Sequence, residues 1–212
     1  MKPTFLTLLL AGLLAVAWTS TAQSRVPATA LGADDALEFQ VDAVHSGVLF
    51  RIEHMEVSAF YGRFTGVSGR YVLDADDPSG CEVQITIDTA SADSANEGRD
   101  KHICGPDFLN AKQFPEATFK STKIVAGKTS ALDANSMRPS YSVTGILNLR
   151  GVEGEVTFPM TLIGNKETRM GHRSGLEGKL SIDRRKFGME SFPTEALSAE
   201  IELTFFIEGL HK

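Results

Sequence analysis

The stretch Glu200-Ile-Glu-Leu-Thr-Phe-Phe-Ile-Glu208 decides the fold, because most of its side chains alternate between polar and apolar. A period of two is typical of a β-strand with one wet face and one dry face. The same pattern recurs around Val48–Glu53 and Val83–Asp88. Further strand candidates are Tyr61–Leu73, Thr118–Val125, Tyr141–Leu149, Glu155–Ile163 and Gly175–Ile182.

With Glu38–Asp42, these runs make eight or so long antiparallel strands. An open sheet of this kind exposes its edges, so the strands must close into a ring or split into two sheets. Long strands joined by sequential hairpins favour closure. The sequence therefore predicts an all-β fold, an antiparallel up-and-down barrel of about eight strands, lipocalin-like, with one short helical segment near the rim. The predicted connections are Asp74–Gly80, Gly127–Pro139, Arg150–Gly154 and Gly164–Gly171.

The helical segment is predicted from its two ends. Ser94-Ala-Asn-Glu97 fits a capping box, with Ser94 as the N-cap and Glu97 at the third helical position. Gly105-Pro106 then predicts the end of the helix.

The first 22 residues predict a signal peptide that is removed. Lys2 supplies a positive start, Phe5–Ala17 is an apolar run too short to span a bilayer comfortably, and Ser20-Thr-Ala22 is a small-residue cleavage site. We expect residues 23–36 to form a flexible N-terminal tail and residues 37–212 to form a single barrel domain. The expected product is exported to the periplasm or the extracellular space and soluble, not an integral membrane protein.

The net charge bears on nucleic acid as a partner, and the cysteine content bears on a disulfide bond. Removing Lys2 makes the formal net charge of −6 one unit more negative, which argues against nucleic acid as a partner. Cys81 and Cys104 are the two cysteines. They are compatible either with one disulfide or with two unpaired buried thiols, and we favour the disulfide because an exported protein meets an oxidising compartment.

A series of motifs resembles a known family. In order along the chain they are Asp42-Ala-Val-His45-Ser46, Tyr61-Gly-Arg-Phe64, Asn96-Glu-Gly-Arg-Asp-Lys-His102, Pro106-Asp-Phe108, Phe114-Pro115 and Gly145-Ile-Leu-Asn-Leu-Arg-Gly151. This order and spacing closely resemble the YceI-like family of exported, lipocalin-like proteins, over roughly Phe39 to Glu208. The resemblance implies a barrel that binds a long-chain isoprenoid lipid, of the polyprenyl phosphate or quinone type, as a carrier or sequestering protein.

Candidate ligand contacts follow from the predicted lumen and from the matched motifs. In the lumen or at the rim they are Phe50, Ile52, Phe64, Phe108, Phe114, Phe119, Phe158, Phe187, Arg99 and His102. A phenylalanine in a β core is as compatible with packing as with a ligand. Phe108 and Phe114 lie beside the helix, where loops often serve as lids. The guanidinium of Arg99 has parallel N–H donors that suit a phosphate or quinone oxygen. The favoured role of Arg99, however, is to tie the helix to the rim.

The sequence predicts a binding protein and not an enzyme. The five histidines form neither a His-Glu-x-x-His motif nor a convergent metal set, and no local nucleophile or carboxylate pair is evident. We therefore predict no metal and no required cofactor, apart from a bound polyisoprenoid or isoprenoid quinone. The alternatives are an accessory quinone- or haem-associated protein of stress or electron transfer, an enzyme acting on a small hydrophobic substrate, and a filled barrel that acts through its surface. Whether two barrels pair as a homodimer is left open.

Overall fold

The computed structural model describes residues 36–74, 77–127, 130–133 and 136–212, and most of these lie in β-strands. The strands are β1 (Leu37–Val41), β2 (Gly47–His54), β3 (Ser58–Phe64), β4 (Val67–Leu73), β5 (Glu82–Asp88), β6 (Ala92–Asp93), β7 (Glu116–Ala126), β8 (Ser130–Asp133), β9 (Ser136–Arg138), β10 (Ser140–Leu149), β11 (Val152–Thr168), β12 (Gly171–Asp183) and β13 (Leu197–Leu210). In this described part of the chain there is one α-helix, α1 (Glu97–Ile103), with short 3-10 turns at Pro78–Gly80, Thr89–Ser91 and Arg184–Phe187. No helix among these residues is both long and apolar enough to span a bilayer.

Eight antiparallel lines of strand close into a ring. β1 and β2 form one line, because both pair with β13: Gln40 lies opposite Leu210, and Gly47 lies opposite Phe206. In the same way β3 continues into β4 and β5 into β6. The ring then passes through β7, β10, β11 and β12 and returns to β13. The predicted up-and-down barrel of about eight strands with one short helix is therefore confirmed.

The lumen is packed unevenly along the barrel axis. We call the end that carries α1 and the β2–β3 turn the mouth, and the end where β1 begins the closed end. Near the closed end, Phe39 stacks on Tyr71 with ring centroids 5.2 Å apart, and both side chains are fully buried. The Tyr71 hydroxyl donates to the Ser174 carbonyl oxygen over 2.9 Å, and burial raises the pKa of Tyr71 to about 12. Apolar side chains thus fill this end.

Glycines on two strands allow aromatic rings to lie flat against the sheet. Gly178 lies opposite Phe205, and a Cβ atom added at Gly178 would stand 2.2 Å from Phe205 Cζ. A Cβ atom at Gly145 would stand 2.5 Å from Phe119 Cζ. Each ring occupies the volume that a side chain would take, so its position depends on the glycine.

Three predicted connections differ from the structure. The turn predicted at Arg150–Gly154 is limited to Arg150-Gly151, because β11 pairs with β10 from Val152 onward. The segment Gly127–Pro139, predicted as a loop, contains the paired strands β8 and β9. The predicted turn at Gly164–Gly171 is mostly strand, because β11 continues to Thr168 after a register shift between Leu162 and Gly164. The extra residue at a β-bulge lets a strand pass an irregular position without ending. Residues 1–22 of the predicted signal peptide and residues 23–35 of the predicted tail lie outside the described residues.

The favoured disulfide is wrong. Cys81 and Cys104 are both free thiols, one at each end of β5. Cys81 directly precedes that strand, whereas the Cys104 thiol lies 3.6 Å from the carbonyl oxygen of Thr89, directly after it. Seven extended residues separate the two positions by roughly 23 Å, and a disulfide requires Cα atoms within about 7 Å of each other.

Replacing Gly178 with alanine should destabilise the barrel. The new methyl group would collide with the Phe205 ring and with the Pro159 carbonyl oxygen, 2.6 Å away, so we expect a loss of about 1–3 kcal/mol in the free energy of unfolding. Gly164→Ala is the matched control, because no atom lies within 4 Å of its added Cβ. We expect that change to stay within about 0.5 kcal/mol. Urea denaturation measures both, and equal losses would contradict this role of Gly178.

Candidate ligand cavity

A cavity of about 540 Å³ opens at the mouth of the barrel. Its wall combines the inner faces of strands with α1, the loop after α1 and the segment between β12 and β13. The residues that line it are Val48, Phe50, Ile52, His54, Met55, Ser58, Phe60, Phe64, Ile87, Thr89, Arg99, His102, Ile103, Phe108, Leu109, Ala117, Leu147, Leu149, Ile182, Met189, Phe192, Ala196, Leu197, Ile201 and Leu203.

The wall of this cavity is almost entirely apolar. Among the described lining residues, the titratable side chains are His54, Arg99 and His102, and none is a carboxylate. A cavity of this size and character suits an apolar ligand with a few polar contacts at its opening.

The structure brings six of the ten predicted ligand contacts together on the cavity wall. These six are Phe50, Ile52, Phe64, Phe108, Arg99 and His102. The other four predicted residues, Phe114, Phe119, Phe158 and Phe187, do not line the cavity. Contact between any of the ten and a ligand stays a prediction.

Each of the four other phenylalanines packs elsewhere. Phe114 lies against Gly151, and Phe187 lies against Gly154 in the buried cluster beside the cavity. Phe119 and Phe158 lie deeper in the barrel, with ring centroids 5.2 Å apart. Of the two residues of the predicted lid, Phe108 therefore lines the cavity and Phe114 does not.

The start of α1 fixes Arg99 at the cavity wall. The Asn96 side chain accepts from the Arg99 amide over 2.9 Å, so Asn96 is the N-cap and the predicted N-cap at Ser94 is wrong. Ser94 is instead buried two residues earlier, where its hydroxyl donates to Asp100 over 2.5 Å and accepts from Arg99 Nε over 2.7 Å. The Arg99 guanidinium also lies 4.8 Å from the centroid of the Phe60 ring. These contacts tie the helix to the rim, which is the role that the sequence favours for Arg99.

An aromatic cluster stands at the opening. Phe108 and Phe192 stack with ring centroids 5.6 Å apart and planes 2° apart, and the His102 ring meets both at 5.0 and 5.6 Å. His102 Nε2 lies 3.1 Å from an Asp107 carboxylate oxygen, and this hydrogen bond lowers the pKa of Asp107. Phe192, which sequence reasoning missed, lies outside any strand pattern that could have indicated it.

Sequence reasoning also missed Arg184, which holds the segment between β12 and β13. The Arg184 side chain is fully buried and donates to the carbonyl oxygens of Met189, Phe192, Leu197 and Ser198. Burial lowers the pKa of its guanidinium, because desolvation disfavours the charge. One signal could have found it: Arg184 follows Leu180 and Ile182 at a spacing of two, on the inward face of the strand.

Arg150 connects two other loops at the mouth. Its guanidinium donates to the Pro106 carbonyl oxygen over 2.8 Å, and to the carbonyl oxygen of Gly188. Arg150 sits in the β10–β11 turn with a φ of 55°, a left-handed conformation that is uncommon outside glycine. Its contacts tie the loop after α1 to the loop after β12.

A cluster of side chains outside the cavity contains residue types that bind metals, but its two carboxylates are already paired with an arginine. Asp42, His45 and Glu208 bring one potential ligand atom each within 4.8 Å of one another. Arg173 Nη1 lies between the carboxylates, 2.8 Å from Asp42 and 2.5 Å from Glu208. Hydrogen bonds from Arg173 and His45 hold the pKa of Asp42 well below its usual range. His45 is therefore a hydrogen-bonding residue of the β1–β2 turn, and Arg173 takes the position that a metal cation would occupy.

Comparisons with known proteins agree with the geometry. A family model described as the YceI-like domain matches residues 39–209. A UPF0312 protein of Pseudomonas aeruginosa is 36% identical over 180 residues, which cover 84% of this chain and 88% of that protein. The solved structure of Burkholderia cenocepacia BcnA has 27% identity and a TM-score of 0.66, covering 79% of this chain and 98% of its own. A polyisoprenoid binding domain from Saccharophagus degradans is 16% identical, with a TM-score of 0.60 over 83% of this chain and 99% of its own, and shares the fold.

Replacing Arg184 with methionine should loosen the segment between β12 and β13. Unpaired buried acceptors cost roughly 1–3 kcal/mol each, so we expect at least about 3 kcal/mol lost from the free energy of unfolding, together with faster proteolysis within residues 188–197. Arg185→Met is the matched control: Arg185 is half exposed and pairs with Asp183, and its loss should cost below about 1 kcal/mol. Similar effects of both changes would contradict the role given to Arg184.

Proposed function

The chain belongs to the YceI-like domain family, and from this premise we propose that it is an exported protein that holds a long-chain isoprenoid lipid in its cavity. The lipid is of the polyprenyl phosphate or quinone type, and the protein carries or sequesters it. The observation that carries the proposal is the apolar cavity of about 540 Å³ at the mouth of the barrel.

Burial of the isoprenoid chain supplies enough free energy for this role. An isoprene unit has about five carbons, so burying one is worth roughly 3–4 kcal/mol gross at about 0.8 kcal/mol per carbon group. A few units outweigh the cost of association and leave micromolar binding or better. The wall needs no charged group for this affinity.

The position of the polar side chains supports entry of the chain with the headgroup at the mouth. Arg99 and His102 lie on α1 at the opening, whereas the deeper wall is formed by residues such as Leu147, Ile87 and Leu203. Ser94 accepts from Arg99 Nε and Nη2, and His102 Nε2 pairs with Asp107, so Arg99 Nη1 would donate to a phosphate or a quinone oxygen. A protein with a related fold, from Saccharophagus degradans, is named as a polyisoprenoid binding domain, which supports a polyisoprenoid as the class of ligand.

The cavity wall gives less support to an enzyme. The described lining residues offer no carboxylate, and Thr89, one of its two hydroxyl-bearing residues, already donates to the Phe114 carbonyl oxygen over 2.7 Å. General acid–base catalysis and nucleophilic catalysis both require paired groups within hydrogen-bond reach. Binding is therefore the function that this wall favours.

Filling the cavity should abolish lipid binding without unfolding the barrel. Ala117 is buried on β7 and faces the cavity, so Ala117→Phe places a ring in the space that the lipid would occupy. We expect the wild type, loaded with undecaprenyl phosphate or ubiquinone, to retain one lipid in native mass spectrometry. We expect Ala117→Phe to retain none while keeping its thermal transition.

Thr118→Phe is the control for this experiment, since it adds the same ring to the outer face of the same strand. It should retain lipid as the wild type does. A wild type that takes up no isoprenoid would refute the proposal, and a Soret band in protein purified from its source would favour the haem alternative.

N-terminal sequencing of exported protein tests cleavage after Ala22.

The aromatic cluster at the opening should control lipid exchange. Replacing Phe108 and Phe192 together with alanine removes the stacked pair from the opening, so bound ubiquinone should leave roughly tenfold faster in a transfer assay to vesicles. Phe114→Ala is the control, because that ring packs on Gly151 away from the cavity. An unchanged release rate in the double variant would contradict a gate at this position.

A further inference from the structure

A layer of three aromatic rings lies behind the inner residues of the cavity wall: Phe119 is paired across the sheet with Leu147, and Phe205 is paired with Val48. Phe158 meets Phe119 on one side and Phe205 on the other, with both pairs of ring centroids 5.2 Å apart. None of these three rings lines the cavity. We call this set of Phe119, Phe158 and Phe205 the aromatic floor.

The aromatic floor separates two differently packed parts of the lumen. On the mouth side of it, Leu147 and Leu203 line open space. On the other side, Val143, Met160 and Leu176 are at most 2% exposed and belong to the core of the closed end. Phe119 packs against the clusters on both sides, which places the layer at their boundary.

Two of the three rings are held in place by the sheet. Phe119 lies over Gly145 and Phe205 lies over Gly178, at distances that leave no room for a Cβ atom on either glycine. Phe158 is buried between the two seated rings. The aromatic floor is therefore a fixed barrier and not a loose set of side chains that a ligand displaces at little cost.

We propose that the aromatic floor sets the length of isoprenoid chain that the cavity accepts, with Phe158 as the specificity-determining residue at its centre. This inference rests on the proposed function. A chain that fits between the mouth and the floor is buried along its whole length. When a longer chain enters tail first, the units next to its headgroup stay outside the mouth in contact with water and gain nothing from the added length.

Truncating the floor should change this length preference. We propose a competition experiment in which delipidated protein is offered equimolar farnesol, geranylgeraniol and solanesol, and the bound alcohols are counted by native mass spectrometry. The wild type should bind solanesol no better than geranylgeraniol, because the additional units of solanesol find no cavity to enter. Phe158→Ala opens the lumen toward the closed end, so the bound ratio of solanesol to farnesol should rise roughly tenfold or more.

Phe39→Ala is the matched control. It removes the same ring from a fully buried site at the closed end, stacked on Tyr71 and away from the cavity. It should lose stability as Phe158→Ala does and leave the bound ratio unchanged. The milder pair Phe158→Leu and Phe39→Leu applies the same comparison if either alanine variant fails to fold.

The outcomes separate the two proposals. A shift in the ratio for the Phe158 variant alone supports the aromatic floor as a length gauge. Wild-type binding with the same ratio in all variants overturns the gauge and leaves the proposed function standing. A wild type that takes up none of the three alcohols overturns the proposed function, and the gauge with it.

Discussion

Closure of the sheet is the constraint on which the rest of the molecule depends. Once the β1–β2 line pairs with β13, the inward side chains of eight strand lines share one lumen, and residue size decides what each level of that lumen contains. Bulky residues close one end, three rings and two glycines form a barrier, and smaller aliphatic residues leave space beyond it. The cavity thus depends on the side-chain volumes inside the barrel and on the helix and loops that border its mouth.

The charged groups near the mouth serve mainly to hold loops. Arg184 and Arg150 direct their donors to backbone carbonyl oxygens, and Arg99 is bound by Ser94 at the start of α1. Donors committed to the backbone stabilise the rim without forming a reactive set. This explains how the charged segment Asn96–His102 can border a cavity whose wall is almost entirely apolar.

Much of the barrel could be predicted from the sequence, because alternation reports which face of a strand is buried. Predictions from shorter motifs failed where a second interaction or a distance decided the outcome. Both Ser94 and Asn96 can cap a helix, and the tertiary contacts of Ser94 with Asp100 and Arg99 left the cap to Asn96. The even number of cysteines gives no information on the distance between them, so it could not show that β5 separates the two thiols. Of the ten predicted contacts, the four that do not line the cavity are phenylalanines that pack against other parts of the barrel.

Pairing of the first strand line with the last also has a consequence for the order of folding. β1 has a partner at the far end of the chain, since Gln40 lies opposite Leu210, so the ring stays open until the final strand has been synthesised. Contacts between residues this distant in sequence make folding slow and leave strand edges unpaired in the meantime. If the chain is exported as proposed, slow folding would leave the polypeptide unfolded while it crosses the membrane. The barrel can close only when β13, a strand of 14 residues, pairs with β1.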